Sequence, residues 1–367
     1  MTADNAEFGA ALTIDLNALV DNWRSLALCA PRSEIGAVVK ADAYGCGIEH
    51  VVPALERAGC ATFFVAHLSE ARRLRKVSAG ATVYVLNGLL PGTAGVYRTI
   101  DARPVLGSPV ELTEWAEQGF GGLCAVHVDT GMNRLGLSMG ELNELAEAGA
   151  HGRLNPSLIM THFSASEDHA ASSNARQIKA FAEVAELFSD VPKSLLNSSG
   201  HFLDMAPAYE LTRPGFALYG GNPVPGSPNP MQPVVRLTAR ILQTRVVEDG
   251  APVGYNGRWH AKGRRKLATI SVGYADGYAR NASATDGSPG GHAVVGGVIC
   301  PFAGMVSMDL IVIDVSDAPP GSTERGAEVL LIGDALDIET VAASARTVGY
   351  EMLTSLGKRY QRSYVGS

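Results

Sequence analysis

The sequence predicts an α/β fold, a (β/α)8 barrel of eight strand-helix units, followed by a smaller C-terminal domain that is mainly β. Three observations carry this. From about residue 12 to 220, short apolar runs alternate with stretches whose apolar residues recur at helical spacing. Residues 222–233, NPVPGSPNPMQP, are too rich in proline and glycine for a helix or a central strand. Beyond them come β-branched runs separated by turn residues. The expected boundaries are a barrel over 12–233 and a β domain over 234–367, with residues 1–11 packing on the latter.

Taken in order, TIDL, AVVK, TFFVA, TVYVL, RPVLG, CAVHVDT, SLIMTHF and SLLNSS read as strands. Between them EHVVPALERAG, SEARRLRKV, VELTEWAEQG, GELNELAEAG and NARQIKAFAEVAELF read as helices, several closed by glycine. Strands that are apolar on both faces suit a parallel sheet closed into a barrel. An open doubly wound sheet wants a G-x-G-x-x-G turn after its first strand, and none is present. In the second domain VVRLTARILQTRVV, KLATISVGYADG, HAVVGGVIC, SMDLIVIDV and EVLLIG read as strands, and 338–356 as one final helix with an acidic start.

With 367 residues, 46% apolar and 18% charged, the chain can bury more than one small core. The net charge of −7 is scattered, and the only basic cluster is Arg264, Arg265 and Lys266, which argues against a nucleic-acid partner. No apolar run approaches the roughly 20 residues that cross a bilayer, and the N-terminus lacks an export signal, so a cytoplasmic location is expected. The five cysteines, Cys29, Cys46, Cys60, Cys124 and Cys300, show neither C-x-x-C nor zinc-type spacing; no metal is expected, and the thiols should be reduced and mostly buried.

Residues 37–47, AVVKADAYGCG, stop an apolar run at one lysine and then break into small residues, an aromatic and two glycines. An amine held by a rigid strand at the mouth of a loop is open to desolvation, and a desolvated lysine is a nucleophile toward carbonyls. Lys40 is therefore the candidate Schiff-base residue. Functional groups of an α/β barrel sit at the carboxyl ends of its strands. Those ends carry Lys40 and Tyr44, Asp129 to Arg134 in DTGMNRLG, His162 in THF, Asn197 and Ser198 in NSSG, and Arg213 in TRPGFALYG. Singly, each has a plain alternative as a cap, a core histidine or a loop closer. Together they mark one rim.

With AVVKADAYGCG, DTGMNRLG, MTHF, LLNSSG, TRPGFALYG, VGYNGRW, ISVGYADGY, GMVSMD and RYQRSY in this order, almost the whole chain resembles the alanine racemase family. The resemblance implies an isomerase that interconverts L- and D-alanine by a two-base mechanism with pyridoxal 5′-phosphate, supplying D-alanine for peptidoglycan. It implies Lys40 as cofactor lysine and as base on one face, and Tyr255 as the acid-base group on the other, with Arg213 and His162 as the basic neighbours that favour its phenolate. It implies cofactor contacts from Tyr44, His162, Asn197, Ser198, Arg213, Gly215, Phe216 and Tyr364, with Arg213 facing the pyridine nitrogen. It implies a substrate clamp of Arg134 and the Met308 backbone, an entrance lined by Tyr274 and Asp309, and a homodimer whose sites are shared across the interface.

The chain departs from the family pattern at His127, where many members carry a carbamylated lysine whose charge orients the arginine equivalent to Arg134. Imidazole supplies no such anion, so Arg134 should be held by a bound chloride or a nearby carboxylate. Gln361 stands near the place of a family proline, and spacing favours Tyr364 over Tyr360 for the phosphate. The rivals are a non-catalytic cofactor carrier, which would lack the β domain and Tyr255, a decarboxylase of basic amino acids, and a racemase of broader range.

Overall fold

The computed structural model describes residues 7–147 and 154–366. Two compact units emerge, Leu19–Gln232 and a second that joins the segment up to Ala18 to the chain from Pro233 onward.

In the first unit the strands Ala37–Val38, Thr62–Val65, Thr82–Val85, Arg103–Leu106, Leu123–His127, Asn155–Met160 and Lys193–Ser194 lie side by side in chain order, all parallel. The short strand Leu211–Thr212 completes the circuit. It pairs with Glu34–Ile35, which runs on into Ala37–Val38, and the Arg213 N–H beside it donates to Leu196 O at 2.9 Å. Eight strand positions thus form a barrel, with helices such as Ile48–Ala58, Pro109–Gln118 and Ser172–Leu187 in the connections. Phe63, Phe64 and Val65 are buried at consecutive positions, as are Ala125 with Val126 and Leu158 with Ile159, as strands covered on both faces require. Ser108 caps the helix Pro109–Gln118 by accepting the Glu111 N–H at 3.3 Å, with proline at the first helical position.

In the second unit the 13-residue strand Val235–Val247 is central. A register shift between Ile241 and Gln243 lets it pair with Glu328–Ile332 and Ala10–Asp15 along one half and with Arg265–Ile270 along the other. Ile311–Asp314 extends the second half. His292–Val295 and Val298–Pro301 form a hairpin closed by Gly296 and Gly297 at φ 56° and 83°, the left-handed pair a two-residue turn needs.

Two expectations are corrected. The run TIDL is not a barrel strand. Ala10–Asp15 pairs antiparallel with Val235–Val247 and parallel with Gln361–Val365, which moves it into the β unit; Leu12 and Ile14 are wholly buried while Ala11 and Thr13 are half-exposed. Such alternation belongs to a sheet covered on one face. The eighth barrel strand is instead Leu211–Thr212, two residues with too little apolar length to register as a run. The final helix is two, Ile338–Ser344 and Gly349–Ser355, broken where Arg346 turns left-handed at φ 56°. The segment 222–233 holds no helix or strand, and no cysteine is in a disulfide. Among the described residues no helix is long and apolar enough to cross a membrane.

Candidate active site

Lys40 leaves the end of Ala37–Val38 into an unusual turn. Ala41, Asp42, Ala43 and Tyr44 all have positive φ, between 52° and 58°, which makes one turn of left-handed helix. Each such residue costs about 1–2 kcal/mol, and strain of this kind concentrates where function demands it. The turn is closed by Ala43 N–H to Val39 O and Gly45 N–H to Ala41 O, both 2.9 Å. From the neighbouring helix, Glu70 accepts the Ala41 N–H at 2.6 Å, and Arg73 bridges Asp42 and Glu49 at 2.5 and 2.7 Å. Burial, and then the positive charge of Arg134, lower the Lys40 pKa; Glu70 opposes them.

Tyr44 stacks on Tyr219 with ring centres 4.6 Å apart, and the Tyr219 hydroxyl donates to Val38 O at 3.0 Å. The Tyr44 hydroxyl comes so close to Gly215 that a Cβ there would lie 2.5 Å from it. Ser198 Oγ accepts the N–H groups of Gly215 and Ala217 at 3.0 and 3.2 Å and keeps its own proton to donate. With those two N–H groups engaged by Ser198, the Tyr44 and Ser198 hydroxyls make a cradle of donors suited to an oxyanion, and Phe216 follows Gly215 into the short 3-10 turn Phe216–Tyr219.

Arg213 is buried with neutral partners: it donates to Ser194 Oγ at 2.5 Å and Thr161 O at 2.6 Å. Burial pushes its pKa down to about 9, so it remains charged at neutral pH. His162 is pushed down to about 3 by burial and then by Arg213 and Arg134, and His127 to about 4 by burial and Arg213. This corrects the expectation for His162: its imidazole is neutral, and Arg213 is left as the buried cation. Asn197 Oδ1 accepts Ser166 Oγ–H and the Gly200 N–H, both 2.9 Å, so its amide oxygen closes a turn. His201 beneath it gives Nδ1–H to Asn197 O and takes the Thr212 hydroxyl on Nε2, the tautomer its partners impose.

Arg134 sits at the tip of the loop 129–137, exposed. Asp129 shapes that loop by accepting the N–H groups of Gly131, Met132 and Asn133, each at 2.8 Å. Among the described residues no ion pair to the Arg134 guanidinium is formed, and the carboxylate of Asp129 acts on the loop backbone.

The remaining candidates lie in the β unit. Tyr255, 70% exposed, tops the turn between the paired strands Pro252–Val253 and Trp259–His260, flanked by Gly254 at φ 71° and Asn256 at φ 62°. It lines a groove with Val253, Met305, Ser307 and Leu310. Tyr274 and Met308 are neighbours through Tyr274 N–H to Ser307 O and Ala275 N–H to Met308 O, both 3.0 Å. Asp309 pairs with Arg359 at 2.8 Å. Tyr364 is half-exposed on Gln361–Val365, opposite Ile14, whereas Tyr360 is buried. Sequence reading missed Tyr219, Ser194 and Thr161. Tyr219 lies inside the quoted TRPGFALYG, but no spacing rule announces a stack on a tyrosine 175 positions earlier, and Ser194 and Thr161 act through single oxygens at strand ends.

Family models for the alanine racemase N-terminal domain and C-terminal domain match residues 14–223 and 234–364. An alanine racemase of Methylobacterium nodulans is 54% identical over 100% of this chain and 98% of its own. Two proteins of Agrobacterium fabrum, a catabolic and a biosynthetic alanine racemase, are 44% and 40% identical, each over 96% of this chain and 92% and 93% of their own. The crystal structure of alanine racemase from Bartonella henselae with covalently bound pyridoxal phosphate superposes with a TM-score of 0.91, at 37% identity, covering 97% of this chain and 99% of that one. Both domains, the order of the motifs and the near-complete overlap agree: the chain belongs to the alanine racemase family.

Proposed function

We propose that the chain is a racemase that interconverts L-alanine and D-alanine with pyridoxal 5′-phosphate. The observation that carries this reading is the rim of the barrel, where an amine of lowered basicity, Lys40, shares one site with a buried arginine that has only neutral partners and with a donor cradle built for an oxyanion. The residues fit the cofactor. Tyr44, Ser198 and the N–H groups after Gly215 suit its phosphate, with room that only glycine leaves at 215. Arg213, still charged at neutral pH and able only to donate, suits its ring nitrogen. When bound, pyridoxal phosphate supplies an electron sink that makes the α-proton of an amino acid removable.

The residues divide the remaining work. Lys40 Nζ, with its pKa lowered, takes or returns a proton at the α-carbon from one side. The Tyr255 hydroxyl serves the opposite side. Arg213 holds its proton, which favours return of the α-proton over side reactions. Arg134 and the Met308 backbone take the substrate carboxylate, and Tyr274 and Asp309 narrow the way in. His162, Asn197 and Tyr364 support the cofactor.

We further propose a homodimer in which the exposed Tyr255 of each subunit completes the other's Lys40 site; the exposed Leu310, which lines the same groove, adds apolar surface fit for burial. The product D-alanine would serve peptidoglycan. Offering pure L-alanine and pure D-alanine separately in deuterated water, and following optical rotation and α-deuterium, tests the reaction. Inversion of both with deuterium uptake is expected, and uptake without inversion would overturn the two-base assignment. A strain lacking the gene should need D-alanine to grow; growth without it would remove the peptidoglycan role.

A further inference from the structure

The left-handed turn after Lys40 needs an external hold, and the molecule provides one in a single carboxylate. Glu70 Oε1 accepts the Ala41 N–H at 2.6 Å, and Oε2 accepts the N–H groups of Ala66 and His67 at 2.8 and 3.1 Å. The Ala41 N–H belongs to the peptide plane that joins Lys40 to Ala41, so whatever fixes it fixes the ψ angle of Lys40. The other two donors follow the strand Thr62–Val65, the neighbour of the strand that carries Lys40. Glu70 therefore pins the lysine's outgoing peptide to the end of the adjacent barrel strand.

We infer that Glu70 is a positioning residue for Lys40, setting the direction in which the strained turn presents the amine and keeping a negative charge near it. This rests on the reading that Lys40 carries the cofactor and moves the α-proton. The second brace differs in kind. Arg73 holds Asp42 and Glu49 with side chains 35–44% exposed, where ion pairs are weak, and it touches no peptide of Lys40. Val39 N–H to Phe64 O at 2.8 Å ties the chain entering Lys40 to that strand, and Glu70 is the side chain that ties the outgoing peptide to it, with both oxygens accepting. Glutamine has the same size but one acceptor oxygen, so its NH2 group would meet an N–H donor on whichever side it faced.

The charged groups facing the Lys40 amine are Arg134, which lowers its pKa, and Glu70, which raises it; His162 beside it is neutral. Removing the Glu70 charge moves the amine pKa further down, so the acid limb of the kcat profile that reports a free Lys40 base moves to lower pH.

The test uses the Glu70→Gln holoenzyme with Lys40→Ala as its companion. Glu70→Gln should lower kcat for alanine at least tenfold with KM changed less than threefold, shift the acid limb downward, and speed the stripping of cofactor by hydroxylamine, followed by absorbance, at least fivefold. Wild-type kcat and stripping rate would overturn the inference. So would a loss of kcat that tracks a lower thermal midpoint while the acid limb stays in place. If Lys40→Ala keeps the bound-cofactor absorbance band, the underlying reading of Lys40 fails; if it loses the band while Glu70→Gln behaves as wild type, only the role of Glu70 fails. Should Glu70→Gln not fold, deuterium exchange of the Ala41 amide in the wild-type holoenzyme decides. Slow exchange supports the Glu70 contact and exchange at the rate of an open turn sinks it.

Discussion

Replacing Gly215 with alanine probes the phosphate cradle with a single methyl group. The new Cβ would lie 2.5 Å from Tyr44 Oη, 3.1 Å from Tyr44 Cζ and 3.3 Å from Val38 Cβ. The first distance is far inside ordinary contact, and the tyrosine has little room to retreat: its ring is 6% exposed and stacked on Tyr219. Overpacking of this kind costs about 1–3 kcal/mol, which corresponds to roughly a five- to 150-fold change in an equilibrium constant. Because the clash exists before any ligand arrives, the thermal midpoint of the cofactor-free protein should fall, and because Tyr44 is displaced together with Gly215, whose N–H holds Ser198 Oγ, the cofactor dissociation constant should rise within that range in an absorbance titration. Adding Tyr44→Phe deletes the atom at 2.5 Å but leaves the carbon at 3.1 Å. The double variant should recover part of the midpoint and none of the affinity, since the phenolic donor is gone. Wild-type affinity in Gly215→Ala, or full affinity in the double variant, would refute the geometry argued for the cradle.

Mixing Lys40→Ala and Tyr255→Phe subunits under exchange should restore about a quarter of wild-type activity if sites are shared, because half the dimers are mixed and each holds one intact site of two; no restoration would show that each subunit uses its own tyrosine. Asp129→Asn leaves one acceptor oxygen for the three N–H groups of the Arg134 loop, and losing charge-assisted bonds of about 1.5–3 kcal/mol should raise KM for alanine about tenfold or more, with kcat less affected; an unchanged KM counts against Arg134 as the clamp. His127, His162 and His201 are held neutral with folded pKa values of about 4, 3 and 4, below the ordinary 6.5. The unfolded chain therefore binds more protons between those values, so the stability they contribute is whole above pH 6.5 and drains away as pH falls toward 4. The thermal midpoint should drop across that window, and a flat profile from 6.5 to 4.5 would contradict their burial as neutral rings.

Much of the barrel is legible because parallel strands covered on both faces leave runs such as TFFV and TVYV that polar residues do not interrupt. Its closure is not, because the strand that closes it, Leu211–Thr212, contributes two residues and depends on partners 177 positions earlier in the chain. Misplacing TIDL follows from counting apolar residues without weighing their alternation, which at Leu12 and Ile14 already spoke for a one-sided sheet. The break at Arg346 is invisible to helical periodicity because Val341, Ala342, Met352 and Leu353 keep their spacing on either side of it. At the site, residue types announced Lys40 and the arginines, but charge states did not follow from type. Whether His162 is charged depends on its burial beside two guanidiniums, a fact of packing. Glu70 reads as an ordinary residue of an amphipathic helix until the peptide N–H groups around it are seen.

Parallel pairing of Ala10–Asp15 with Gln361–Val365 joins segments some 350 residues apart, with Thr13 and Ser363 in hydroxyl contact across the seam. During synthesis the first strand emerges more than 200 residues ahead of one neighbour and about 350 ahead of the other, and must wait with both edges unmatched while Leu19–Gln232 is translated and free to collapse. Completion of the β sheet is therefore a late event that waits for residues 361–365, and a nascent chain halted before residue 361 should remain open to protease in its first strand.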